Sequence, residues 1–210
     1  MSGHNKAFLG EDYSKLESAR ICVCGAGALG SNLVEALAQE GYKHLTVIDF
    51  DRIERHNAYT QVYGLRDNGG VKVNVLKAHL SRKLRVTIDA VQKRLEPSNA
   101  KKLLKGHDIV IDTFDNWESR VAVRDACRDL SLPCVHGGMS EQGYSEIRWN
   151  DEYDPPRVEA VQEDLCEYPL AGPLVHMTAA MLQAVVTHFI VTGAQLRRSF
   201  TLRDLAIRNF

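Results

Sequence analysis

Apolar and polar positions along this chain fall into two alternating rhythms. Arg20–Cys24, Leu45–Phe50 and Asp108–Asp112 are short apolar runs of strand length, and Arg85–Val91 and Pro133–His136 extend that series. Between them lie stretches of helical period. Ser31–Glu40 is stopped by Gly41, and Gly70–Lys83 puts Val73, Leu76 and Leu80 on one face. Pro97-Ser98 opens a short helix to Lys105, and Trp117–Leu130 forms another. This βαβαβ order predicts an α/β fold: a Rossmann-like, doubly wound and mostly parallel sheet. After Gly137-Gly138 the rhythm changes. Gly143–Trp149 alternates like an antiparallel strand and Ser199–Ile207 reads as a closing strand, giving an antiparallel C-terminal extension.

Two further segments shape the expectation. Pro173–Gly193 is apolar for nearly the length that spans a bilayer, but it carries His176, Gln183 and His188 and is read as a buried core helix. Residues 150–171 hold seven acidic side chains and one arginine; such a stretch buries little apolar area and is expected to be a mobile surface loop. The 210 residues suit one domain, residues 1–210, and the polar start, Met1 to Arg20, has no apolar core of the signal-peptide kind. A formal net charge of −1 gives no electrostatic case for a nucleic-acid partner. Five cysteines, with no C-x-x-C and no regular framework, fit a reducing cytoplasm and exclude a four-cysteine zinc site. Cys22 and Cys24 alternate along one strand and share a packing face.

The chemistry sits at the breaks between these elements. Ile21–Gly30 reads Ile-Cys-Val-Cys-Gly-Ala-Gly-Ala-Leu-Gly, a strand that runs into G-x-G-x-x-G. Gly25 permits the tight turn, Gly27 lets phosphates approach the backbone, and Gly30 lets the helix lie close; the amides of the first helical turn, at Ala28, face the anion. Asp49 and Asp51, about 20 residues on, are placed to accept ribose hydroxyls. Asn57 follows in the loop, Lys72 opens the helix after Gly69-Gly70, and Asp112-Thr-Phe-Asp115-Asn116 leaves the next strand. In open α/β sheets ligands sit beyond the carboxyl ends of the strands, so these residues converge. A lysine there neutralises phosphate charge and the Asp115 carboxylate can hold magnesium. Taken singly, Lys72 is also an ordinary surface lysine, and Asp115-Asn116 an ordinary helix cap.

Ile21–Gly30, Val47-Ile-Asp-Phe-Asp51, His56-Asn57, Gly69-Gly-Val-Lys72 and Asp112–Asn116 together resemble the ThiF/MoeB/HesA family, the bacterial relatives of ubiquitin-activating enzymes. Gly172-Pro-Leu-Val175 and the closing Leu202–Arg208 resemble that family as well, so the likeness runs from about Ile21 to Arg208. It implies a homodimeric or pseudo-dimeric enzyme that uses ATP and magnesium to adenylate the C-terminal glycine of a ubiquitin-like or sulfur-carrier protein. By that resemblance Asp49 holds the ribose, Asn57 and Lys72 contact the phosphates, and Asp115 organises magnesium. Some members then pass the acyl group to a crossover-loop cysteine, here Cys166.

Two departures stand beside these matches. The family's Asn-x-x-Arg-Gln run reads Asn57-Ala-Tyr-Thr60-Gln61, and no arginine precedes Arg20 to supply the second phosphate contact. Arg52, Arg55 and Arg66, in the same loop, are the candidate substitutes. Three readings therefore stay open: an adenylating enzyme, a non-adenylating subunit or scaffold that binds a nucleotide or ubiquitin-like tail, and an NAD-dependent oxidoreductase. Lys72 and Asp115 speak against the last, since a nicotinamide cofactor needs no magnesium.

Overall fold

The computed structural model describes residues 3–155 and 171–210. In chain order the elements are α1 (Gly3–Leu9), α2 (Tyr13–Ser18), β1 (Arg20–Cys24), α3 (Ala28–Glu40), β2 (His44–Ile48) and α4 (Lys72–Leu84). They continue with β3 (Asp89–Val91), α5 (Ala100–Leu104), β4 (Ile109–Asp112), α6 (Trp117–Asp129), β5 (Cys134–Met139) and β6 (Tyr144–Trp149). The chain closes with α7 (Gly172–Thr192), β7 (Arg198–Thr201) and β8 (Ile207–Arg208).

One sheet runs in the order β3-β2-β1-β4-β5-β6-β7-β8. The first five of these strands are parallel and the last three are added antiparallel, as the change of rhythm after Gly138 predicts. Parallel strands with helices on both sides are buried on both faces, and β1 divides its side chains accordingly. Ile21 and Val23 join the core under α3, α4 and α7, whereas Cys22 and Cys24 join Val110, Cys127 and Cys134 under α5 and α6. The shared packing face expected for Cys22 and Cys24 is present. The apolar α7 is a core helix packed on α3, β5 and β6, with Leu174, Val175, Thr178, Ala179, Leu182 and Val186 along its buried stripe. Its N-terminal Pro173 and left-handed Gly193 give it a helical start and stop.

Three local differences from the sequence expectation have simple causes. The polar N-terminus forms two short helices that bury Tyr13 and Leu16, and Tyr13 packs on Gly41, where any Cβ would meet its hydroxyl at 2.2 Å. β3 begins at Asp89 rather than Arg85, because Arg85 caps α4 in the left-handed conformation with φ +57°. The closing strand is split into β7 and β8: the Asp204 carboxylate accepts the Ala206 amide at 3.1 Å and the Thr201 hydroxyl at 3.0 Å, folding a turn between them.

The register places the chemistry. Cys24 lies beside Ile48 on one side and Asp112 on the other, and Asp112 beside His136. The loops that leave β1, β2 and β4 therefore emerge side by side at one end of the sheet.

Candidate nucleotide site

The glycine turn is built as the spacing requires, with each glycine doing something different. Gly25 has φ +106°, and a Cβ there would lie 2.8 Å from the Thr113 hydroxyl. At Gly30 a Cβ would fall 2.1 Å from the Gly25 carbonyl oxygen, so the close approach is of α3 onto the turn itself and onto the end of β4. Gly27 is different: a Cβ there meets nothing within 4 Å. The first bond inside α3 is Ser31 N–H to the Gly27 carbonyl at 3.0 Å, and no side chain caps the helix. The amides of Ala28, Leu29 and Gly30 thus have no partner in the helix, the usual state of a helix N-terminus and one that favours an anion.

Asp49, only 5% exposed, stands against this turn. One oxygen accepts the Ala26 amide at 2.7 Å and the other the Asp51 amide at 2.7 Å. Burial pushes its pKa up, while those two amides and the Lys72 charge pull the other way and leave a net rise.

Residues 51–71 fold back on the same turn. Tyr63 donates to the Ala26 carbonyl at 2.8 Å, and Asn32 of α3 donates to the Thr60 carbonyl at 2.9 Å. A bridge between Arg52 and Val71 closes the loop, with Ile53 N–H on the Gly70 carbonyl at 2.8 Å and Lys72 N–H on the Asp51 carbonyl at 3.0 Å. Asp51 and Lys72 flank that bridge, which is why the Lys72 ammonium meets the Asp51 carboxylate at 3.1 Å. The Lys72 side chain is 11% exposed against 45% for Asp51, so the lysine is a shielded cation and not a solvated one. Asn57 is buried in the same loop; its Oδ1 accepts the Glu54 amide at 2.9 Å. Among the substitutes for the missing arginine, Arg52 is tied to the Gly69 carbonyl at 2.7 Å, while Arg55 and Arg66 are exposed.

Past β4, Asn116 and Asp115 divide the two roles proposed for them. Asn116 caps α6, its side chain accepting the Ser119 amide at 2.9 Å. Asp115 is exposed, and no hydrogen bond or ion pair within contact distance ties it among the described residues, although its charge acts on the Arg120 guanidinium. Magnesium keeps several waters and binds through one or two carboxylates plus substrate phosphates, and a free carboxylate beside an anion site fits that demand. Among the described residues no three metal-ligating side chains cluster. Cys166 lies outside the described residues.

Sequence reasoning missed the buried network behind Asp115. Asp112 is fully buried; its carboxylate accepts the Phe114 amide at 3.0 Å and stands 2.8 Å from His136 Nδ1. His136 Nε2 faces the Asn150 Oδ1 at 2.9 Å, and the Tyr153 ring stacks on the imidazole at 3.9 Å. Arg120 reaches the Phe114 carbonyl, the Gly137 carbonyl at 2.8 Å and the Tyr153 hydroxyl. Burial would raise the Asp112 pKa, but Arg120 and His136 outweigh it and hold the carboxyl below its ordinary value. The available signal was Asp112 itself, an acid ending an apolar strand that is buried on both faces; such a charge needs partners. The acidic segment starts from the same place: Asn150–Asp154 is docked on α6, where Arg128 donates to the Asn150 and Tyr153 carbonyls at 2.9 and 3.0 Å and Arg124 pairs with Asp154. Residues 156–170 lie outside the described ones.

Comparison with known proteins finds similar chains. The model of the ThiF family matches residues 4–201. The SAMP-activating enzyme E1 of Haloferax volcanii is 35% identical over 131 residues, covering 61% of this chain and 48% of that protein. The adenylyltransferase and sulfurtransferase UBA4 of Yarrowia lipolytica is 32% identical over 198 residues, covering 89% of this chain and 49% of that protein. The chain spans about half the length of these relatives or less. Among solved structures, E. coli MccB with ATP superposes with a TM-score of 0.78 at 19% identity, over 95% of this chain and 65% of that one, which shows the fold.

Proposed function

The chain belongs to the ThiF family, and from that premise we propose that it uses ATP to adenylate the C-terminal glycine of a ubiquitin-like or sulfur-carrier protein. One observation carries the reading. An uncapped helix N-terminus, a shielded lysine and an exposed carboxylate lie in loops that leave neighbouring strands at the same end of one sheet. Relatives named as a SAMP-activating enzyme E1 and as a sulfur carrier protein adenylyltransferase support the substrate class.

In this reading the amides of Ala28–Gly30 and the Lys72 ammonium take up triphosphate charge, and Asn57 lies on the same loop as a further contact. Asp49 accepts ribose hydroxyls with the lone pairs that Ala26 and Asp51 leave over. A carboxylate oxygen of the terminal glycine attacks the α-phosphorus, the bond from that phosphorus to the bridging oxygen breaks, and pyrophosphate leaves with its electron pair. The product is an acyl-adenylate. Asp115 would hold magnesium, which would supply neutralisation of the charge that gathers on the leaving pyrophosphate. In a second step the Cys166 thiolate attacks the acyl carbonyl, AMP departs, and a thioester remains. The same reading includes a homodimer or a heterodimer with a related subunit, and a cytoplasmic setting in which Cys22, Cys24, Cys127 and Cys134 stay as thiols, all of them free and buried here.

A second reading, a nucleotide-binding scaffold, is favoured by one residue. Thr60 stands where the family pattern has arginine, and threonine brings a hydrogen bond but no charge. ATP–pyrophosphate exchange in the presence of ubiquitin-like carriers separates the two. Carrier-dependent exchange establishes the adenylating enzyme; ATP binding without exchange establishes the scaffold. A DTT-sensitive adduct with the carrier that disappears in Cys166→Ala tests the second step, and a normal adduct in that variant rules the cysteine out.

A further inference from the structure

The backbone of Phe114, the residue before Asp115, is held through both of its flanking peptide groups. Its N–H is held by the Asp112 carboxylate at 3.0 Å and its carbonyl by the Arg120 guanidinium. Neither grip is isolated. The other Asp112 oxygen lies 2.8 Å from His136, the Tyr153 ring stacks on His136 at 3.9 Å, and the Tyr153 hydroxyl meets Arg120. The contacts therefore form a closed circuit: Phe114, Asp112, His136, Tyr153, Arg120 and back to Phe114. Asp112, His136 and Tyr153 are each at most 3% exposed and Arg120 is half-buried, so most of the circuit is shielded from water and small displacements within it are expensive.

Two ends of this circuit matter. One is the loop whose next residue, Asp115, is exposed and lies within the electrostatic reach of Arg120. The other is Tyr153, which lies in the docked start of the acidic crossover; its own carbonyl is held by Arg128 at 3.0 Å. A largely enclosed arginine is a poor device for stability alone, since well-packed apolar groups of similar volume often serve as well or better. Its planar fork suits a different task, holding three separate elements in one fixed geometry. Here those elements are the β4–α6 loop, β5 at Gly137, and the start of the crossover at Tyr153.

We infer that Arg120 and Tyr153 are positioning residues for Asp115, coupling the anchor of the crossover segment to the carboxylate that meets the metal–nucleotide complex. This rests on the proposed assignment of Asp115. Arg120 touches no reacting atom; it acts by fixing the peptide that aims Asp115. Displacement of Tyr153 releases Arg120 and loosens the Phe114 grip, so the state of the crossover reaches the cation site through the circuit.

Two measurements on the full chain test this without any carrier protein. The first is ATP affinity by calorimetry with magnesium and with EDTA, in wild type, Asp115→Asn, Arg120→Lys and Tyr153→Leu. In the wild type magnesium strengthens ATP binding, and Asp115→Asn abolishes that gain. The inference expects Arg120→Lys and Tyr153→Leu each to cut the gain at least tenfold while affinity in EDTA stays within twofold. The second is hydrogen exchange of the Phe114 amide in nucleotide-free protein, expected to quicken at least tenfold in both variants while the β1 amides remain protected. Variants that keep the full magnesium gain, or a Phe114 amide as slow as in wild type, overturn the coupling even if Asp115 is correctly assigned. A wild type without a magnesium gain overturns the Asp115 assignment and the coupling with it.

Discussion

Asp49 Oδ2 accepts the Ala26 amide at 2.7 Å, so the acid at the end of β2 is also the latch of the glycine turn. A residue chosen for ribose recognition thus has a second duty in holding the loop that receives the phosphates. Asp49→Ala leaves the buried Ala26 amide unpaired at a cost of about 1–3 kcal/mol, partly offset because burial already disfavours the charged carboxylate. Urea unfolding reads that loss. Asp49→Asn keeps one acceptor oxygen and is expected to fold while binding ATP about tenfold or more weakly, a difference of about 1.4 kcal/mol, measurable by calorimetry.

Lys72→Ala separates a functional cation from a structural one. Its partner Asp51 is 45% exposed, so losing the pair costs stability by at most about 1 kcal/mol. Carrier-dependent exchange is expected to fall by about 10²–10³-fold, the usual effect of removing one preorganised donor from developing charge. A variant that exchanges within a few-fold of wild type contradicts the placement of the lysine on the phosphates.

Asp115→Ala removes an exposed side chain that makes no close hydrogen bond or ion pair among the described residues, and its unfolding free energy should stay within about 0.5 kcal/mol of wild type. Exchange should vanish at millimolar magnesium. Loss of activity with intact stability is the signature expected here, and a large loss of stability contradicts it.

Asp112 gives a pH dependence with a definite sign. Its carboxyl lies below the ordinary value in the folded chain, so the folded state binds its proton less tightly than the unfolded state does. The stabilisation is present above the unfolded value of about 3.9 and is lost as pH falls through the folded value. Unfolding free energy measured at pH 7 and stepwise below pH 4 should drop more steeply in wild type than in Asp112→Asn. At pH 7 the substitution breaks a buried pair and should cost about 3–5 kcal/mol. Equal slopes below pH 4 contradict the network.

The sheet and the open part of the site were legible because both follow from periodic or punctuated patterns. Glycine at 25 and 30 is demanded by backbone crowding, and the change from buried parallel runs to the alternation of Gly143–Trp149 marks the antiparallel extension. Three kinds of feature were not legible. The split of the last strand depends on one side chain, Asp204, making a turn. The burial of α2 comes from distant partners, Gly41 under Tyr13 and α7, and not from its own period. The circuit through Arg120, His136 and Tyr153 joins residues up to 41 positions apart (Asp112 to Tyr153), and no local spacing announces such a meeting.

The question on which all of this depends is whether the end of the sheet beyond Cys24, Ile48 and Asp112 receives a triphosphate. A crystal structure of the full chain grown with magnesium and a non-hydrolysable ATP analogue answers it directly. The expected result is phosphates against the Ala28–Gly30 amides with the Lys72 ammonium on their oxygens, the ribose on Asp49, and magnesium between Asp115 and the phosphates. A nucleotide bound elsewhere, or an empty cleft in crystals at saturating analogue, would contradict it.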